Sequence, residues 1–113
     1  MEIFYSSAKL AKVCNSQLSR RKKLGPREGD LLGRRLDDLD AADTLADVRP
    51  PFPGRCRELR ENRRGQLAMD LVHPRRLIFL PANDPVPRND AGGLDWSRVT
   101  KILIEEIGTD YHK

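Results

Sequence analysis

Histidine, cysteine and aromatic residues are scarce in this chain: among 113 residues there are two His, two Cys, three Phe, two Tyr and one Trp. The two cysteines, Cys14 and Cys56, stand far apart and form no CxxC pair, which excludes a zinc ribbon or a redox motif and predicts reduced, partly buried thiols. No set of His, Asp, Glu or Cys has metal-ligand spacing, so neither a metal nor another cofactor is expected. Gly92-Gly93 follows no strand and opens no helix, so it is loop and not a phosphate cradle. Nothing approaches the roughly 20 apolar residues of a membrane span. The opening MEIFYSSAKLAK has neither a basic leader nor a long apolar run, and the expectation is a soluble, cytoplasmic protein without a membrane partner. No internal repeat or low-complexity tract is present.

What the chain has in quantity is charge, with 21 Lys and Arg against 17 Asp and Glu. The excess favours an acidic partner and says nothing about fold. Its distribution is uneven. Acids gather at Asp37, Asp38, Asp40, Asp43 and Asp47, while Arg55, Arg57, Arg60, Arg63 and Arg64 crowd one stretch after Pro53. Guanidinium groups at that density suit the phosphates of a polyanion, because each can grip two oxygens at once. Just before the final Lys113 stand Asp110-Tyr111-His112, which supply a proton-transfer group and an aromatic that can stack on a base. Arginines and a terminal histidine together point to RNA cleavage without a metal ion.

The length fits one domain with a single core. Ile3-Phe4-Tyr5 predicts a strand, and Ser6-Ser7 can cap a helix from Ala8 in which Leu10, Val13, Cys14 and Leu18 share a buried stripe. Gly25-Pro26 breaks the chain and opens a second helix from about Arg27 to Ala42, with Leu32, Leu36 and Leu39 on one face. The late aspartates in that helix oppose its dipole. After Pro50-Pro51-Phe52-Pro53-Gly54 the pattern becomes sheet. Strands are expected over Arg55 to Arg60, Gln66 to Val72 (half-buried), Leu77 to Leu80 (central, covered on both faces) and Thr100 to Ile107. In the last strand Ile102 and Ile104 are predicted to face opposite to Leu103 and Ile107. Arg57 and Arg60 differ in parity, so their strand should end or bulge near Leu59. His73-Pro74 reads as a structural turn, Pro81 to Trp96 as a long surface loop, and Asp95 as the cap of a short turn through Arg98.

This order of strand, helices and meander, with RCRELRENRRGQLAMDLVHPRRLIFLP in the middle and DYH at the end, resembles the HigB branch of the RelE/ParE toxin superfamily. The resemblance spans nearly the whole chain. It implies an α+β fold in which an N-terminal strand and a two-helix hairpin pack on a twisted, mainly antiparallel sheet. It also implies a ribosome-dependent endoribonuclease, cutting messenger RNA in the ribosomal A site and held inactive by a HigA-like helix-turn-helix antitoxin. The implied catalytic residues are Arg57, Arg60, Arg76, Asp110, Tyr111 and His112, with Arg55, Arg63 and Arg64 holding RNA. HigB-type toxins often carry histidine at the place of Arg57 and lysine at that of Arg60. Arginine is a poor proton acceptor at neutral pH. Arg57 is therefore cast as a phosphate clamp and His112 as the acid–base group. Two other readings stay open: a ParE-like inhibitor of another target such as DNA gyrase, and a plain RNA-binding module, which the few aromatics disfavour.

Overall fold

A computed structural model describes residues 1–109. Strand β1 (Glu2–Tyr5) is followed by helices α1 (Ala8–Cys14), α2 (Gln17–Leu24) and α3 (Pro26–Ala41), and then by a meander of β2 (Arg57–Glu58), β3 (Leu67–Asp70), β4 (Arg75–Pro81) and β5 (Lys101–Thr109). The sheet order is β1-β5-β4-β3-β2, with β1 parallel to β5 and every other pair antiparallel.

The first helix predicted from the sequence is two helices. Leu18 continues the apolar spacing of α1, yet it lies on α2 and is 77% exposed. The break comes at Asn15-Ser16, because the Ser16 hydroxyl accepts from the Ser19 N–H and starts a new helix, as Ser7 does for α1 with Leu10. The helical hairpin is α2 against α3, and it closes tightly at Gly29, where a Cβ would stand 2.7 Å from backbone atoms of Arg20 and Arg21. Pro26 occupies the first turn of α3 as predicted. The Met1 amino group donates to the carbonyls of Leu39, Asp40 and Ala42, placing a cation at the negative end of the helix where the aspartates cluster.

Leu32, Leu36 and Leu39 of α3 meet Leu67, Met69, Leu77, Phe79, Ile102 and Ile104 in one core, closed by Leu45, Val48 and both cysteines. Each fully buried residue of this size contributes about 1.5–3 kcal/mol. β3 is not half-buried as expected: Leu67, Ala68 and Met69 are all inaccessible, and only Asp70 reaches the surface. β4 is the central strand, as predicted. In β5 the predicted parity holds only up to Ile104. Ile78 pairs with Glu106 while Phe79 pairs with Ile104, so Glu105 is an extra residue and the bulge turns Ile107 onto the core side with Ile102 and Ile104. The loop after β4 is tied down by Trp96, whose Nε1 donates to Glu58 at 3.0 Å and whose ring carries the Arg49 guanidinium at 4.5 Å. Asp95 caps the turn Trp96–Arg98 as expected.

Candidate functional site

Side chains directly opposite each other on neighbouring strands share a face. The helices cover the Leu67, Leu77 and Phe79 side of the sheet. On the other side, Arg57, Ala68, Ile78 and Glu106 form one row across four strands, and Asp70, Arg76 and Gly108 form the next. Two arginines and two carboxylates therefore share one end of the helix-free face.

The segment before β2 folds over this end. Asp70 donates its N–H to the Gly54 carbonyl at 2.7 Å, which draws residues 54–55 onto the tip of β3. Gly54 has φ of 106° and a Cβ there would meet the Met69 Cε at 2.7 Å, so only glycine fits. Arg55 follows with φ of 50°, a left-handed conformation that costs roughly 1–2 kcal/mol for a residue with a Cβ. Its guanidinium grips Asp70 with Nε at 2.8 Å from Oδ2 and Nη2 at 3.3 Å from Oδ1. Arg57 reaches the same carboxylate at 2.9 Å and the Arg55 carbonyl at 3.0 Å. β2 stops at Glu58, just before Leu59 as the parity argument requires.

Burial pushes the Asp70 carboxyl up, but the hydrogen bonds and charges of Arg55 and Arg57 outweigh it and hold the group below the usual carboxylate range. Asp70 is thus anionic at neutral pH and engages both guanidinium groups, Arg55 through two nitrogens and Arg57 through one. Beside it, Arg63 bridges Gln66 at 2.9 Å and Glu106 at 2.8 Å. Arg76 is nearly buried on this face, 8% exposed. Its neighbour Arg75 turns the other way, 3.5 Å from Glu28 on α3, which also accepts from the Val72 N–H at 3.1 Å.

Of the residues expected from the sequence, Arg55, Arg57, Arg63 and Arg76 are brought together. Arg60 is exposed beyond the end of β2 and Arg64 lines a separate hollow with Glu58, Leu80, Arg88 and Leu94, so neither joins them. Asp110, Tyr111 and His112 lie outside the described residues. His73 is exposed in the turn between β3 and β4. Asp70 and Glu106 belong to the site and were missed by sequence reasoning. For Asp70 a signal existed, since it is a lone acid inside the apolar run LAMDLV. Among the described residues no group of His, Cys, Asp and Glu side chains could hold a metal ion, and no helix is long and apolar enough to cross a membrane.

The element order, the helices on one sheet face and the mixed five-stranded sheet define a RelE-like α+β fold. A solved structure, the YoeB dimer from Staphylococcus aureus, shares it: TM-score 0.55 at 15% sequence identity, covering 100% of this chain and 98% of that one. At that identity the likeness is one of fold, and it does not single out the HigB branch. No protein-family model and no curated protein matches the chain.

Proposed function

We propose that this chain is a HigB-like toxin of a toxin–antitoxin pair, a cytoplasmic endoribonuclease that cleaves messenger RNA in the ribosomal A site and is silenced by a helix-turn-helix antitoxin. The observation that carries this reading is the gathering of Arg55, Arg57, Arg63 and Arg76 on the helix-free sheet face, at the end where β5 leads into Asp110-Tyr111-His112. The fold shared with the YoeB dimer supports it.

Cleavage without a metal needs three things. A base takes the proton of the ribose 2′-hydroxyl, cations stabilise the crowded phosphorane, and an acid protonates the departing 5′-oxygen. The 2′-oxygen then bonds to phosphorus as the phosphorus–5′-oxygen bond breaks, leaving a cyclic phosphate. In this proposal Arg57 and Arg76 hold the non-bridging oxygens, where charge grows most in the transition state. His112 supplies the acid. Glu106, an acceptor on the same face, takes the 2′-proton, a task for which an arginine is unsuited. Tyr111 stacks on the base at the cut.

The test is messenger RNA cleavage in a reconstituted translation mixture, with ribosomes omitted from a parallel reaction. The proposal expects cuts inside codons only when ribosomes are present, and a sharp fall for Arg76→Ala and His112→Ala. Translation that stops without cuts would replace it with a ParE-like inhibitor.

A further inference from the structure

The arginines of the helix-free sheet face are largely matched by carboxylates, since Asp70 takes Arg55 and Arg57 and Glu106 takes Arg63. The helical side carries a second cationic cluster that is not. Lys9 and Lys12 of α1 and Lys22 and Lys23 of α2 surround one open hollow of about 550 Å³, floored by Val13 and Ser19. None of these lysines makes an ion pair among the described residues, and no acidic residue lines the hollow.

The pattern is built in. Residues 9, 12 and 13 stand at i, i+3 and i+4 on α1, and residues 19, 22 and 23 repeat that spacing on α2. Positions so spaced share one helix face. Two successive helices, joined at Asn15-Ser16, thus turn matched lysine faces toward the same gap. The two arginines between them are drawn away: Arg20 donates to the Cys14 carbonyl at 2.7 Å, and Arg21 forms a two-pronged pair with Asp30 at 2.8 and 2.9 Å. Lys22 and Lys23 sit in the last turn of α2, where the helix dipole favours a cation without neutralising it.

We propose that this lysine hollow is a second binding surface, gripping the phosphate backbone of a double-helical RNA independently of the arginine site. A paired helix fits better than a single strand, because no aromatic lines the hollow to stack an unpaired base. A membrane surface fits less well, since Leu18 is the single large hydrophobic residue that α1 and α2 leave exposed and Leu10 packs against the core, leaving no broad apolar face to insert. The choice of RNA over DNA rests on the function proposed above, whereas the phosphate grip does not.

The test measures affinity for fluorescent blunt duplexes of about 16 base pairs, RNA and DNA, across a salt series. The variant K9Q/K12Q/K22Q/K23Q is compared with the parent and with the four-lysine-to-arginine variant. Each phosphate contact contributes about 0.9 to the slope of log affinity against log salt. The lysine-to-glutamine variant should lose about 3 to 4 in slope and at least about tenfold in affinity for RNA at low salt. The arginine replacement should keep the slope of the parent. Because all four lysines are exposed, thermal unfolding should be unchanged and excludes misfolding as a cause. An unchanged slope, no duplex binding by the parent, or binding of DNA but not RNA would overturn the proposal. So would binding to phosphatidylserine vesicles in preference to either duplex. Loss of duplex binding in a protein that never cuts messenger RNA would sink the proposed reaction and leave this surface standing.

Discussion

The Arg57 guanidinium lies 2.9 Å from the Asp70 carboxylate, on the face of the sheet that the helices leave uncovered. Arg55 closes on the same carboxylate from the other side at 2.8 Å. An incoming phosphate therefore competes with an internal anion for two guanidinium groups. Asp70→Asn should remove that competitor and raise RNA affinity several-fold while leaving the fold intact. A fall in affinity would instead make Asp70 an orienting group that holds the guanidinium groups in place. Titration with a short RNA distinguishes the two.

The same carboxylate makes stability depend on pH. Its folded pKa is lowered, so its contribution is fully present above the unfolded value of about 3.9 and is lost as the pH falls through the lower folded value. Thermal unfolding between pH 2 and pH 7 should show an acid limb that is shallower in Asp70→Asn. Parallel curves for the two proteins would show that Asp70 contributes nothing to acid stability.

Glu106 is the carboxylate proposed to take the 2′-proton, and Arg63 holds it at 2.8 Å. Glu106→Gln keeps its size and should cut ribosome-dependent cleavage by about 10² to 10⁴. Its melting temperature should barely move, because both partners of the pair are partly exposed. Cleavage at the parental rate would pass the base role to another group.

How much of this was legible in the sequence differs between elements. The β4 run Leu77-Ile78-Phe79-Leu80 is apolar on both faces and could only be central. The α3 stripe and its Pro26 start carried the helix-start and periodicity signals. The split between α1 and α2 was missed because Leu18 continues the spacing, although Ser16 was the local sign of a new start. Pairing of Asp70 with Arg55 and Arg57, and of Glu106 with Arg63, depends on strand register and on the bulge at Glu105, and neither is encoded in local spacing. The arginine cluster was therefore visible, while the carboxylates that answer it were not.

The packing of α2 on α3 gives a contrast between two glycines four residues apart. At Gly29 a Cβ would stand 2.7 to 2.8 Å from backbone of Arg20 and Arg21, which cannot yield without separating the helices. At Gly33 the obstruction is the Arg20 guanidinium at 2.8 to 3.0 Å, the movable end of a long side chain. Overpacking costs about 1–3 kcal/mol. Alanine returns up to about 1 kcal/mol of helix propensity at either site. Gly29→Ala should be destabilised, with Gly33→Ala close to neutral, as read by chemical denaturation. Equal losses would mean that Arg20 is as rigid as backbone, held by its 2.7 Å bond to the Cys14 carbonyl.

Cys14 and Cys56 carry free thiols within the core. Burial pushes Cys14 up to about 11 and Cys56 up to about 12, against the weaker opposing pull of Arg20 on the first and of Arg57 and Arg49 on the second. The reactive form of a thiol is the thiolate, so neither should be attacked at pH 8 while the protein is folded. A maleimide reagent counted by mass spectrometry should add to neither cysteine in buffer and to both in denaturant. If Cys14 labels in the native state, the helix α1 that carries it must open at its C-terminal end, since the thiol is 2% exposed when the helix is in place. Labelling that rises in step with the global unfolding curve would instead place α1 within the same cooperative unit as the sheet.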